Sequence, residues 1–126
     1  MKSKQKRIVI IEDNEVSRAL LRTILRSDGY EVIGEAHDGQ SGLALAVRLA
    51  PDLVCLDVVM PKLDGMQVLA ELRRELPEVP VLMITGHTDR EAVQSMIKGG
   101  AAGIVVKPFN AKKVLEEVGR SLAIQA

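Results

Sequence analysis

Aromatic side chains are nearly missing from this chain: it has no tryptophan, one tyrosine (Tyr30) and one phenylalanine (Phe109) in 126 residues. Charge of one sign is missing too, because 17 Lys and Arg balance 17 Asp and Glu and leave a formal net charge of zero. A direct nucleic-acid surface wants a basic stripe and often stacking rings, and neither is offered. Cysteine is reduced to Cys55. Alone in an apolar run, it has no partner for an internal disulfide and reads as a small buried hydrophobe. No apolar run approaches the roughly 18 residues of a membrane span, and the basic start (Lys2, Lys4, Lys6, Arg7) is not followed by a signal-type apolar region. The expectation is a cytoplasmic protein with no membrane partner and no direct nucleic-acid partner. The basic start reads as a solvated arm ahead of the first strand.

What is present is a 47% hydrophobic composition, enough to bury a core without staples. The length suits one domain over 1–126. Apolar strand-like runs begin near Ile8, Glu31, Leu53, Val81 and Ile104, spaced roughly 22 to 28 residues apart, as in repeated βαβ units. Four are nearly all apolar, as strands covered on both faces are. Residues 31–36 are mixed and read as an edge strand. Helical periodicity fills the gaps. The predicted stripes are Val16, Leu20, Thr23 and Ile24; Leu43, Ala46, Val47 and Ala50; Met66, Leu69, Leu72 and Leu76; Val93, Met96 and Ile97; and Val114, Leu115, Val118 and Leu122. Asn14 and Asn110 are placed to cap the first and last helices. The pattern predicts an α/β doubly wound, flavodoxin-like fold: a five-stranded parallel sheet flanked by five helices. Strand order 2-1-3-4-5 puts the mixed run at an edge and the first and third runs side by side at the switch point.

Four polar residues end four of those runs: Asp13 after Ile8–Ile11, Asp57 after Leu53–Leu56, Thr85 after Val81–Ile84, and Lys107 after Ile104–Val106. A parallel sheet gathers them at its carboxyl edge, where open α/β sheets bind ligands. Glu12, Asp13 and Asp57 make an acidic cluster that a divalent cation would neutralise. Hard oxygen ligands without His or Cys nearby favour Mg2+, with Mn2+ possible, over Zn2+. A central Asp57 can act as nucleophile toward phosphorus. Thr85, Lys107 and the backbone N–H of Gly86 then serve the phosphoryl oxygens, by positioning and electrostatics. Singly, each residue has a duller reading: a turn-forming aspartate, a strand-ending threonine, a solvated lysine. His37 and His87 read as loop histidines. The coincidence of all four strand ends carries the functional reading.

At these residues the chain resembles the receiver domain of two-component response regulators, the chemotaxis-regulator-like group. The matching motifs are Ile11-Glu12-Asp13-Asn14, Asp57-Val58-Val59-Met60-Pro61 with Asp64-Gly65, Ile84-Thr85-Gly86 and Lys107-Pro108-Phe109, and they span essentially the whole chain. The resemblance implies a signalling switch rather than an enzyme, with Asp57 as phosphoacceptor for a histidine kinase or phosphotransfer protein. It implies Asp13, Asp57 and the backbone carbonyl of Val59 as direct Mg2+ ligands, with Glu12 acting through water. It implies Thr85 as the switch hydroxyl, Lys107 as the phosphate-binding lysine, and a cis Lys107–Pro108 bond. Three positions depart from or modulate the family pattern. Ile104 stands where an aromatic ring is frequent. Val59 cannot orient water at the acyl phosphate, whereas His87 could, which makes His87 the expected determinant of phosphoryl lifetime. A pseudo-receiver that binds partners regardless of phosphorylation is the alternative, and the complete acid–Thr–Lys set argues against it. A flavin carrier is disfavoured because the acids after the first strand would repel the flavin phosphate. The chain ends near Ala126 soon after the fifth helix, so either a stand-alone receiver or part of a longer regulator with an attached output domain is expected.

Overall fold

Among the described residues of the computed structural model (5–60, 64–86 and 88–124), strands and helices alternate along the chain. In order they are β1 Arg7–Ile11, α1 Glu15–Ser27, β2 Glu31–Ala36, α2 Gly39–Leu49, β3 Leu53–Asp57, α3 Gly65–Glu75, β4 Val81–Thr85, α4 Arg90–Lys98, β5 Gly103–Val106 and α5 Ala111–Ile124. Lys2, Lys4, Pro61, His87 and Ala126 lie outside the described residues. The strands form one parallel sheet in the order β2-β1-β3-β4-β5. This is the order expected from the sequence, with the mixed run at one edge.

Successive strand side chains point to opposite faces, and that alternation builds two cores. Ile8 and Ile10 of β1, Leu53 and Cys55 of β3, and Leu82 and Ile84 of β4 pack with Leu21 and Leu25 of α1 and Val114 and Val118 of α5. Val9, Ile11, Val54, Leu56, Val81 and Met83 pack on the other side, with Ala46, Val68, Leu69, Leu72 and Met96 of α2, α3 and α4. Both faces are covered, so the inner strands tolerate no polar alternation until they leave the sheet. Cys55 is buried in this way, and burial pushes its thiol up to about 12. Ile104 is half-buried against the α2–α4 side.

The helices are capped by side chains. Asn14, Asp38, Asp64 and Asp89 each accept a backbone N–H in the first turn of α1, α2, α3 and α4, and Asn110 accepts the N–H of Lys113 at the start of α5.

In three helices the buried face only partly matches the predicted stripe. In α1 the buried residues are Leu21, Ile24 and Leu25, while Val16 is 77% and Leu20 44% exposed. Two apolar stripes share Ile24, and the denser i, i+3, i+4 set takes the core. In α2 the predicted Ala46 is buried and Leu43 packs against the core, but Val47 is exposed and Ala50 lies beyond the helix as its left-handed cap. In α4, Met96 is buried but Ile97 is exposed. The predicted stripes of α3 and α5 do face the core, with Leu69, Leu72, Val114 and Val118 buried.

Two glycines set close approaches. A Cβ on Gly42 would lie 2.5 Å from Cγ2 of Ile11, so α2 sits tight on β1. A Cβ on Gly65 would collide with the backbone of Asp57 and Val58. Gly119 of α5, by contrast, faces nothing within 4 Å. Gly42→Ala is therefore expected to cost about 1–3 kcal/mol by overpacking. Gly119→Ala is expected to gain roughly 0.5–1 kcal/mol from helix propensity. Urea midpoints of the two variants should move in opposite directions.

Candidate functional site

The sheet register determines which strand ends meet. Ile11 pairs with Leu56, and one residue further along come Glu12 and Asp57. Asp57 pairs with Ile84, which brings Thr85 to the same edge. Thr85 pairs with Val106, and Lys107 follows. The backbone continues the ladder past the strands. Val58 N–H donates to Ile84 O at 3.2 Å and Lys107 N–H to Thr85 O at 2.8 Å. The loop after β3 is held by Gly65 N–H on Val58 O at 2.8 Å, the contact that excludes a side chain on Gly65.

The loop after β1 is tied from several sides. Glu12 N–H donates to Ala36 O at 3.0 Å. Asn14 N–H donates to Glu12 Oε2 at 3.1 Å, and Arg18 Nη1 donates to the Glu12 carbonyl at 2.9 Å. One carboxylate oxygen from each of Glu12, Asp13 and Asp57 can be chosen so that all lie within 4.8 Å of one another. Glu12 and Asp57 are buried and Asp13 is exposed. The sequence-predicted acids are thus together, with Lys107 among them. Its Nζ is 3.1 Å from Glu12 Oε1 and 3.5 Å from Asp57 Oδ1. Thr85 is buried at the end of β4, Gly86 is exposed beside it, and Val59 is 59% exposed two residues past Asp57. The Lys107–Pro108 peptide bond is cis.

The electrostatics are unbalanced. Burial, together with the hydrogen bond and charge of Glu12 and a hydrogen bond to Asp13, pushes the Asp57 carboxyl up to about 7, against the lowering pull of Lys107. Burial works against the Lys107 ammonium, but hydrogen bonding to Glu12 and the charges of Glu12 and Asp57 outweigh it, so its pKa is raised. Glu12 Oε1 is fully buried and makes no hydrogen bond of acceptable geometry, although Nζ is close. Three carboxylates and one ammonium, all ionised, sum to two negative charges. The donors are all oxygen, two of the three acids are buried, and the net charge equals in size that of one divalent cation. The residues present therefore fit a hard divalent ion.

Sequence reasoning missed the basic pair behind this site. Arg18 Nε lies 3.4 Å from Glu35 Oε1, and Arg22 Nη1 donates to both Glu35 oxygens at 2.7 and 2.9 Å. The i, i+4 spacing of the two arginines was visible, but the partner on β2 was not. Sequence reasoning also missed the cleft of about 350 Å3 beside Lys107, lined by Ser17, Leu20, Lys107, Pro108 and Phe109.

The comparisons with known proteins agree with this geometry. The family described as the response regulator receiver domain matches residues 8–119. The chain is 33% identical over 116 residues to the chemotaxis protein CheY of Bacillus subtilis, covering 92% of this chain and 97% of that one. It superposes with a TM-score of 0.89 on the CheY-like receiver domain protein of Methanospirillum hungatei, at 27% identity and 97% coverage of both chains. A chain of the CheX–CheY–BeF3–Mg2+ complex of Borrelia burgdorferi matches with a TM-score of 0.87 and 29% identity, covering 90% of this chain and 86% of that one. With four strand ends converging on one acidic edge and its sequence matched over nearly its whole length, this chain belongs to the response regulator receiver domain family of two-component systems.

Proposed function

We propose that this chain is a phosphorylation-dependent switch that takes a phosphoryl group onto Asp57 from a histidine kinase or phosphotransfer protein. The observation that carries the reading is the charge balance at the sheet edge, where Glu12, Asp13 and Asp57 outnumber Lys107. Asp13, Asp57 and the backbone carbonyl of Val59 would hold the metal, with Glu12 acting through water. When bound, Mg2+ (or Mn2+) supplies positive charge that neutralises the carboxylates and stabilises the phosphoryl oxygens. A carboxylate oxygen of Asp57 forms the new bond to phosphorus while the P–N bond of the donor phosphohistidine breaks, its electron pair staying on the imidazole nitrogen. Lys107 turns from Glu12 and Asp57 toward the phosphoryl oxygens, whose added negative charge attracts it. The Thr85 hydroxyl and the Gly86 N–H donate to the same oxygens.

The donor's approach is served by the apolar surface next to Lys107. Val16 and Leu20 of α1 are exposed, and Leu20 shares the cleft with Pro108 and Phe109. An apolar docking surface flanking the acceptor lets binding energy align the reacting groups. The solved Borrelia relative is a complex that includes BeF3 and Mg2+, and such a complex with this chain would test the same chemistry. On phosphorylation, the new partner for Thr85 shifts the loop after β4 and biases the face of α4, β5 and α5 between two preformed arrangements. Ile104 brings no ring to that step, so loop movement carries it. The domain assists its own phosphoryl transfer and loss rather than turning over an external substrate. His87, two residues past Thr85 in sequence, is proposed to act on the attacking water.

Incubation with acetyl phosphate and Mg2+ should add one phosphoryl group by mass, and Asp57→Asn should abolish the addition. An unmodified wild type would favour the pseudo-receiver, and label persisting on Asp57→Asn would move the acceptor elsewhere.

A second test uses pH. Asp57 has a reference pKa of 3.8 and titrates near 7 when folded without metal. The folded chain thus holds this proton more tightly than the unfolded chain does. The associated stability is fully present below the unfolded value and is lost as pH rises through about 7. Metal-free wild type should therefore melt at progressively lower temperature across that window. Asp57→Asn should flatten the decline, and saturating Mg2+ should do the same in wild type. Equal slopes for metal-free wild type and Asp57→Asn would contradict the assignment.

A further inference from the structure

The peptide joining Glu12 to Asp13 is gripped on its carbonyl side by an arginine that lies outside the acid cluster. Arg18 uses two different nitrogens: Nη1 donates to Glu12 O at 2.9 Å, and Nε faces Glu35 Oε1 at 3.4 Å. Glu35 is in turn held by Arg22, one turn further along α1, through contacts of 2.7 and 2.9 Å to its two oxygens. The Arg18 and Glu35 side chains are only 19% and 21% exposed, so water competes weakly for these bonds. On the other side of the same residue, Glu12 N–H is tied to Ala36 O at 3.0 Å. Ala36 follows Glu35 directly on β2.

We infer that Arg18, braced by Glu35 and Arg22, is a positioning residue for the metal site, fixing the Glu12–Asp13 peptide so that Asp13 presents its carboxylate where Asp57 requires it. The inference rests on the metal-binding reading of the acid cluster. The geometric need is plain. Glu12 and Asp57 are buried and located by their neighbours, but Asp13 is exposed and its direction is set by the backbone that carries it. A carbonyl held by a guanidinium cannot rotate without breaking a charge-assisted hydrogen bond. Ligands supported from outside the coordination sphere bind more tightly because less order is lost on binding.

A pure charge effect of Arg18 has the opposite sign. A guanidinium near the site repels Mg2+, so removing it would strengthen binding if charge were all that mattered. The brace works through shape. A lysine places one nitrogen where the guanidinium places two, so it keeps the charge but cannot span Glu12 O and Glu35 together.

Calorimetric Mg2+ titration of the whole chain separates these accounts. Arg18→Met and Arg18→Lys should each weaken Mg2+ binding by about 10-fold, and Glu35→Gln should weaken it in the same direction. The amide of Asp13 should exchange its hydrogen faster in all three variants in metal-free buffer. Melting temperature in chelator serves as the folding control, and Glu35→Gln leaves the arginine in place should the Arg18 variants fold poorly. Binding in Arg18→Met as tight as wild type or tighter would overturn the inference, as would full retention of affinity in Arg18→Lys. A wild type that ignores Mg2+ would remove the metal site itself, a result distinguishable from the failure of the brace alone.

Discussion

The contact on which the edge of this sheet depends is the Lys107 ammonium lying between Glu12 and Asp57. It joins the end of β5 to the ends of β3 and β1, two and three strands away. Without it, two buried carboxylates would face each other with only Asp13 for company. A unit-charge pair about 4 Å apart is worth roughly 4 kcal/mol at an effective dielectric near 20. Attraction by Lys107 is then of the same size as the repulsion between Glu12 and Asp57, and the two nearly cancel. Burial then tips the balance toward the protonated acid, and a hydrogen bond to Asp13 adds to it. Asp57 responds by holding a proton up to about 7. Burial and the neighbouring acids that raise this pKa also make the site receptive to a divalent cation, since proton and metal compete for one carboxylate.

The sheet was readable from sequence because its central strands are covered on both faces. Runs such as Leu53–Leu56 and Val81–Ile84 leave no ambiguity about where they stop, since Asp57 and Thr85 are the first polar residues to appear. The acid–Thr–Lys set was therefore legible before any coordinates. The inward faces of α1, α2 and α4 were legible only in part. Each of these helices carries more apolar residues than one face can bury, and periodicity alone cannot say which stripe docks. Val16, Leu20, Val47 and Ile97 were assigned to the core and are exposed. The Arg18–Glu35–Arg22 brace was hidden for another reason: its partners come from separate elements, and β2 looked merely mixed. The charge on Glu35 that marked β2 as an edge strand is the charge that holds Arg18.

Misplaced apolar residues became informative once their positions were known. Val16 and Leu20 are not spare hydrophobes scattered over the surface. They lie on α1, whose first turns adjoin the acid loop, and Leu20 reaches the cleft beside Lys107 and Phe109. Phe109, one of two aromatic residues in the chain, packs partly against the core and partly lines that cleft. An apolar rim next to a charged centre would suit the phosphoryl donor proposed above. In that reading, apolar contact would supply encounter affinity, and the charged centre would decide whether transfer occurs.

The site is also expensive for the fold that carries it. Replacing Asp57 by a neutral isostere removes repulsion, so the native residue lowers the stability of the metal-free chain at neutral pH. Proteins keep such groups where the chemistry requires them and recover stability elsewhere. Here the recovery is visible around the edge rather than within it. Asn14, Asp38, Asp64 and Asp89 cap the helices, Gly42 lets α2 settle on Ile11, and the Arg18–Glu35–Arg22 brace ties α1 to β2. None of these contacts uses the carboxylates of Glu12, Asp13 or Asp57. In the proposed switch the acids would therefore change proton, metal or phosphoryl partner while the scaffold beneath them stays in register, and the energy of those exchanges would be free to move the loop after β4.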